Sequence, residues 1–254
     1  MATGAGTTRA STTPWPRFLV GFAVLYGVLA FTSGRDGTGR HGLAVLAAVL
    51  VAAVLVERVL FRRPWAEMPA LLGLRRPGRQ AMAAAVVVSA LVLLVYPLFA
   101  AVSGTAVSLR PDWPWLLVGV LAMNGLAEEM VWRGFAYRRL REGRSFGTAV
   151  WLTMPLVAAA HVPILLSLGP AVGLGAMVVA AVTALPFSYL YEWGRRTIWA
   201  PALLHTAIDS FKLVEIPAAG TRAFSLTLVA VSIVVPLSVF LLPGSRPTRS
   251  SAGP

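Results

Sequence analysis

The chain has 254 residues, of which 57% are hydrophobic and only 13% are charged, whereas a soluble domain carries about 25% charged residues. Together with a mean hydropathy of +0.74, this excludes an ordinary soluble domain and indicates a polytopic membrane protein. The chain contains no cysteine, which excludes disulfides, thiol nucleophiles and thiolate metal sites.

Eight charge-poor stretches are long enough to cross about 30 Å of hydrocarbon. In chain order they are residues 16–33, 41–60, 81–102, 114–137, 147–168, 171–191, 197–216 and 223–242. Residues 145–191 contain no Asp, Glu, Lys or Arg, and Gly169 with Pro170 supplies a turn that divides this long stretch into two helices. The sequence therefore predicts an all-α fold, a polytopic membrane helix bundle of about eight transmembrane helices.

The two ends of the chain differ from the rest in composition. Residues 1–14 and 244–254 are rich in small and polar residues and have little apolar surface to bury, so we expect disordered N-terminal and C-terminal tails. The loops between the spans are too short to fold alone, which predicts a single transmembrane domain over residues 15–243. The first apolar stretch is short, like the core of a secretory signal peptide, but it lacks a convincing small-residue cleavage site. It is therefore assigned to the domain as its first span.

The basic residues alternate between the two sides of the predicted bundle. Sixteen arginines fall on the side of the termini, five basic residues including Lys212 fall on the other side, and Arg133 lies within the fourth span. Because cytoplasmic loops are enriched in Arg and Lys, this predicts a cytoplasmic-membrane protein with both termini in the cytoplasm. The net charge of +12 then needs no nucleic-acid partner, since a basic face can contact anionic membrane lipids.

Five ionisable residues lie at similar depth in three of these spans. They are Glu128 and Glu129 in the fourth span, His161 in the fifth, and His205 and Asp209 in the seventh. With a rise of about 1.5 Å per residue, they lie roughly 12–21 Å from the cytoplasmic ends of their helices. Charges at this depth cost a few kcal/mol each and mark a functional site or a wet cavity.

Helical spacing suggests separate tasks for these residues. Glu129 and Arg133 are four residues apart and can pair on one face of their helix. Glu128 lies about 100° around the same helix and can point at neighbouring helices. His205 and Asp209 are also four residues apart, so this carboxylate can orient the imidazole or act beside it. The pattern separates a paired carboxylate from one that is free to act as a base.

The order of these residues resembles a known family. The motif EExxxR at residues 128–133, a histidine about thirty residues later at His161, and HTAID at 205–209 after RRTIWAPALL are similar to the intramembrane glutamic endopeptidases of the CAAX-processing and bacteriocin-processing family (CPBP, also called Abi). The resemblance covers about residues 113–216. Two positions differ. Val157 stands where the family often has an aromatic residue, and Asp209 stands where the last motif of the family often ends in Asn.

The resemblance implies a water molecule activated by a glutamate, without a metal or another cofactor. It implies that Glu128 is the general base and that His161 and His205 position the water or the substrate carbonyl. Asp209 then helps to stabilise the oxyanion if it is protonated, or orients His205 if it is ionised. Glu129 and Arg133 are expected to hold the site together. The implied substrate is a membrane-associated peptide or protein, whose peptide bonds the enzyme hydrolyses.

Other functions are consistent with the same residues. Two histidines and a glutamate suffice to bind zinc, so a zinc-dependent membrane protease is an alternative, although the chain has no HExxH motif. Buried Glu and His residues also form proton relays, which makes a proton-coupled transporter a second alternative, although repeated halves are expected there and none is visible. A third alternative is a non-proteolytic family member with an immunity or scaffold role.

Overall fold

The computed structural model describes residues 14–34 and 37–243. Helices make up nearly all of the regular structure in these ranges, so the predicted all-α membrane bundle of about eight helices is confirmed. Seven helices among the described residues are long and apolar enough to cross a membrane. They are Trp15–Ser33, Gly42–Leu60, Arg79–Ser103, Trp113–Arg141, Phe146–Ser167, Val172–Trp193 and Ala218–Leu241. The predicted disordered tails lie outside the described residues, apart from position 14.

Several spans consist of consecutive shorter helices. The α-helices are α1 (Trp15–Ser33), α2 (Gly42–Leu55), α3 (Met68–Leu71), α4 (Arg79–Leu93), α5 (Val95–Ser103), α6 (Trp113–Val120), α7 (Arg138–Arg141), α8 (Phe146–Ala159), α9 (Val162–Leu168), α10 (Pro170–Trp193), α11 (Trp199–Ile208) and α12 (Ala218–Val234). Wider π-helical turns cover Val56–Leu60, Leu121–Ala127 and Met130–Tyr137. Tighter 3₁₀ turns cover Trp65–Glu67, Asp209–Leu213 and Val235–Leu241. Two short strands, β1 (Ser108–Leu109) and β2 (Val214–Glu215), pair antiparallel.

The helix of the predicted seventh span is shorter than expected. The 10 residues of α11 and the 5 residues of the following 3₁₀ turn rise by about 25 Å, less than the hydrocarbon thickness of about 30 Å. The helix ends because Val214 enters β2 and pairs with Leu109, while the Arg110 amide donates to the Leu213 carbonyl at 2.9 Å. Hydropathy had extended this span to residue 216.

The turn predicted between the fifth and sixth spans is present at Gly169. Its backbone has φ +84° and ψ 172°, a region open essentially to glycine, and α10 begins at Pro170. A side chain at Gly173 would collide with the backbone of Leu165 in α9. The two helices therefore pack closely.

The fourth span lies at the centre of the bundle. Inside its most apolar window 67% of residues are buried, against 22–44% for the other six spans. One side of it carries Trp132 and Phe135, which contact an aromatic row on α1 formed by Phe18, Phe22 and Tyr26. Residues of this span are therefore surrounded by protein, which lowers the cost of placing charges there.

Helix α11 packs against α4 through small side chains. Ala81, Ala84 and Ala85 of α4 and Ala200 and Ala207 of α11 are buried in one cluster. Small residues let membrane helices approach closely. This contact supports α11 on the side that faces away from the fourth span.

The strand pair and two arginines join the start of the fourth span to the chain around it. The Asp112 carboxylate accepts from Arg40 Nη2 at 2.6 Å and from Arg110 Nε at 3.3 Å. The Arg40 guanidinium, with a smaller contribution from Arg110, holds the pKa of Asp112 below its usual range. Because β1 precedes Asp112 and pairs with β2, the start of the fourth span and the end of α11 are held at the same end of the bundle.

Candidate active site

Glu128 and Glu129 lie at the junction between two π-helical segments. The first segment ends at Ala127 and the second begins at Met130. Such wide turns are rare and occur frequently at functional sites. The two carboxylates therefore stand where the fourth span departs from regular α-helical geometry.

Glu129 connects the fourth span to α11. Its side chain is fully buried, and its Oε1 accepts from Arg133 Nη1 at 2.9 Å and from His205 Nδ1 at 2.8 Å. The predicted Glu129–Arg133 pair is thus confirmed. The Arg133 guanidinium is buried as well and lies over the Phe187 ring, 4.8 Å from its centroid. Both charges are enclosed by protein.

His205 is oriented by Glu129. Because Nδ1 faces the Glu129 carboxylate, Nδ1 carries the proton, and Nε2 is the ring nitrogen that points to the remaining acidic groups. Nε2 lies 3.9 Å from Glu128 Oε2 and 3.7 Å from Asp209 Oδ2. The spacing of His205 and Asp209 had suggested that Asp209 could orient the ring, but the short hydrogen bond comes from the other helix.

Glu128, His205 and Asp209 form a compact cluster. One oxygen or nitrogen atom from each lies within 4.8 Å of the other two. The distances from Nε2 to the two carboxylates exceed a hydrogen bond, and one water about 2.8 Å from all three groups fits this spacing. The same three groups are also suitable ligands for a divalent cation. The side chains are 16–19% exposed, so the surrounding helices do not fully enclose the cluster.

Two further residues complete the cluster and were not identified from the sequence. Asn124 Nδ2 donates to Glu128 Oε1 at 2.9 Å, and Asn124 Oδ1 accepts from Lys212 Nζ at 2.9 Å. The ammonium group also lies 4.0 Å from Asp209 Oδ2. Helical spacing contained the signal, since Asn124 precedes Glu128 by four residues and Lys212 follows Asp209 by three. The charge count had used Lys212 only to orient the bundle, as one of the five basic residues on the side away from the termini.

His161 lies at a break in the fifth span. Helix α8 ends at Ala159 and α9 begins at Val162, because Pro163 lacks an amide donor and its ring clashes with the carbonyl four residues earlier. His161 Nδ1 bonds to the Val157 carbonyl at 2.8 Å. This hydrogen bond uses the backbone carbonyl of residue 157, so it does not depend on which side chain that residue carries.

Within the described residues, His161 does not belong to the cluster of Glu128, His205 and Asp209. Tyr26 contacts both regions. Its hydroxyl donates to the Ala160 carbonyl at 3.1 Å, and its ring packs against Trp132, four residues after Glu128 in the fourth span. The break that carries His161 is therefore on the side of the bundle to which Glu128 belongs.

A glycine allows the fourth span and α11 to approach each other. A Cβ at Gly125 would lie 2.6 Å from Thr206 Oγ1 and 3.0 Å from the Ala202 carbonyl oxygen. The absence of a side chain at this position brings the two helices close enough for Glu129 to reach His205.

A second buried ionic cluster lies at the other end of the fourth span. The two oxygens of Glu57 each accept a 2.6 Å hydrogen bond, one from Arg138 and one from Arg139. The sequence had assigned these arginines to membrane orientation. They also join the end of the second span to the fourth.

One family model matches the part of the chain that contains these residues. Residues 110–211 match the family model of the Rce1-like type II CAAX prenyl endopeptidases. This match confirms the resemblance to the CAAX-protease family. The matched region is 102 of the 254 residues and contains all six predicted site residues. No curated protein and no solved structure gave a significant match to the chain. The family match and the apolar helices together support a multi-pass intramembrane protease of the CAAX type.

Proposed function

We propose that this protein is a glutamic endopeptidase that hydrolyses peptide bonds of a membrane-associated peptide or protein. Residues 15–243 act as one protease domain, with the core of the site in residues 113–216. The observation that carries the proposal is the cluster of Glu128, His205 and Asp209, whose facing atoms lie within 4.8 Å of one another. This cluster is buried among helices yet open enough to hold water.

In the proposed reaction, Glu128 removes a proton from a water in the cluster while the water oxygen attacks the carbonyl carbon of the scissile bond. The carbonyl oxygen becomes an oxyanion; His205 orients the water in the cluster, and His161, which lies outside the cluster, orients the carbonyl. The proton then moves from Glu128 to the leaving amide nitrogen as the carbon–nitrogen bond breaks. The products are a carboxylic acid and an amine, and Glu128 returns to its starting state.

Glu129 and Arg133 serve this reaction without touching the reacting atoms. Glu129 fixes the His205 ring through its 2.8 Å hydrogen bond, and Arg133 balances the charge of Glu129. In this proposal Asp209 accepts a hydrogen bond from the water. An ionised Asp209 repels an oxyanion, and the ammonium group of Lys212 at 4.0 Å offsets that repulsion.

The proposed location is the cytoplasmic membrane, with both termini in the cytoplasm and lipids around the bundle. Because the chain has no cysteine, single cysteines report the sidedness of each loop. We expect Arg110→Cys to react with an impermeant maleimide in intact cells, and Arg76→Cys to react only after the membrane is opened. The reverse pattern would contradict the proposed orientation.

Cleavage of a quenched library of membrane-bound peptides by the purified protein tests the proposed chemistry. Glu128→Gln should lower cleavage by about 10²–10⁴-fold, the usual contribution of a general base. Glu67→Gln is the matched control, because the Glu67 side chain is 46% exposed and pairs with Arg63 at 3.8 Å on the surface. Unchanged cleavage in Glu128→Gln would remove the proposed base. Loss of wild-type cleavage with a chelator would favour the zinc-dependent alternative, and a folded protein without any cleavage would favour a non-proteolytic role.

A further inference from the structure

Lys212 is the one lysine among the 254 residues, which include 21 arginines. It lies in the 3₁₀ turn that follows α11, and its ammonium group turns back into the bundle. Its side chain is 15% exposed. Lysine differs from arginine in carrying a compact point charge. A chain that uses arginine for every other basic position has lysine only beside the proposed catalytic cluster.

The ammonium group contacts both sides of this cluster. It donates to Asn124 Oδ1 at 2.9 Å and lies 4.0 Å from Asp209 Oδ2. Asn124 also donates from Nδ2 to Glu128 Oε1 at 2.9 Å, so it links the ammonium group of Lys212 to Glu128. If the amide were reversed, its oxygen would face the carboxylate and its nitrogen would face the ammonium. Lys212 therefore fixes the orientation in which Asn124 donates to Glu128.

Without Lys212, the same cluster has the features of a cation site. It offers two carboxylates and the Nε2 atom of His205 within 4.8 Å of one another. Glu129 holds the opposite ring nitrogen of His205 at 2.8 Å, and metal-bound histidines usually carry such a carboxylate partner. Zinc binds oxygen and imidazole ligands at about 2.0–2.2 Å, so a modest inward shift of the three groups would complete a set of three ligands.

We propose that Lys212 is a built-in counter-cation that keeps this cluster free of divalent metal ions and leaves Glu128 free to act on water. A metal ion on Asp209 would lie next to the ammonium group, and two cations a few ångströms apart repel strongly in a partly buried site. Lys212 is a positioning residue, because it acts through Asn124 and Asp209. The inference rests on the function proposed above, but zinc binding is measurable without any cleavage.

Zinc binding to the purified, chelator-treated full chain tests this role. Zn²⁺ is titrated by calorimetry, and thermal unfolding is followed with and without Zn²⁺. We expect Lys212→Met to bind Zn²⁺ at least about 100-fold more tightly than the wild-type protein and to unfold at a higher temperature when Zn²⁺ is present. Lys212→Arg, which keeps the charge, should stay close to wild type.

Two controls assign the new binding to the cluster. The double variants Lys212→Met with His205→Ala and Lys212→Met with Asp209→Asn should lose the gained affinity. Equal zinc affinity in wild type and Lys212→Met would overturn the proposal, and so would a gain that survives both double variants. The outcome of the Glu128→Gln cleavage assay does not alter these results, so failure of the proposed catalysis and failure of the Lys212 role are distinguishable.

A second measurement covers the case in which Lys212→Met does not fold. Reductive ¹³C-methylation labels Lys212 as the single lysine side chain, with the chain terminus as an internal reference. We expect the Lys212 methyl signal to shift in Asp209→Asn and in Asn124→Leu, and not in Glu67→Gln. A signal that is identical in all four proteins would show that the ammonium group is not held in the cluster, which overturns the proposal.

Discussion

Replacing Glu129 by Gln should strongly destabilise the bundle. The Glu129 side chain is 0% exposed and that of Arg133 is 2% exposed, so the change leaves a buried guanidinium without its ion-pair partner. Two other nitrogens of Arg133, Nε and Nη2, already have no hydrogen-bond partner in the described part of the protein. Breaking a buried pair by removing one charge costs about 3–5 kcal/mol, and we expect Glu129→Gln to lower the free energy of unfolding by that amount.

Reversible unfolding in mixed micelles, followed by far-ultraviolet circular dichroism, measures this loss. Arg133→Met should also destabilise the protein, while the double variant should lose at least about 2 kcal/mol less than the sum of the single changes, because it buries no uncompensated charge. Glu67→Gln is the control, since its pair with Arg63 is exposed and exposed pairs contribute little. Additive losses in the double variant, or a Glu129→Gln loss below about 1 kcal/mol, would refute the reasoning.

Three further substitutions test the packing of the bundle by the same unfolding assay. Gly125→Ala places a methyl group 2.6 Å from a hydroxyl of α11. It should lower the free energy of unfolding by about 1–3 kcal/mol and reduce the cleavage activity. The control Gly27→Ala, where a Cβ would have nothing within 4 Å, should change neither the stability nor the activity. Gly169→Ala should cost about 1–3 kcal/mol through backbone strain, and an equal loss in the open helical control Gly147→Ala would contradict this. Glu57→Gln should cost about 3 kcal/mol, because it removes the charge from two 2.6 Å hydrogen bonds; an unchanged midpoint would show that this cluster does not stabilise the fold.

Much of the helical framework follows from local sequence. A transmembrane span is recognised by its length and apolarity, which depend on neighbouring residues alone. The Glu129–Arg133 pair was predictable for the same reason, since four residues on a helix bring two side chains together. Gly169 was predictable because few other residues accept its backbone conformation. In each case, the information lies within a few positions of the chain.

The rest of the site depends on contacts between distant segments. His205 follows Glu129 by 76 positions, and Lys212 follows Asn124 by 88. Depth along each span could bring these residues to one layer, but it gives no rotation of one helix against another. Hydropathy also contains no signal for the π-helical turns on either side of Glu128, which change the direction of the side chains that follow them.

The short helix of the seventh span explains how Lys212 reaches the site. In an α-helix, residues three positions apart differ by about 60° around the axis, whereas in a 3₁₀ turn they are aligned. Asp209 and Lys212 lie in such a turn, so their side chains leave the chain on the same side, toward Asn124 of the fourth span. This 3₁₀ turn depends on β2, because the pairing of β2 with β1 ends the helix directly after Leu213. A helix continued to residue 216, as hydropathy predicted, would leave Lys212 about 60° around the axis from Asp209 and less closely aligned with it. The strand pair at the end of the bundle is therefore part of what places the ammonium group beside the proposed catalytic centre.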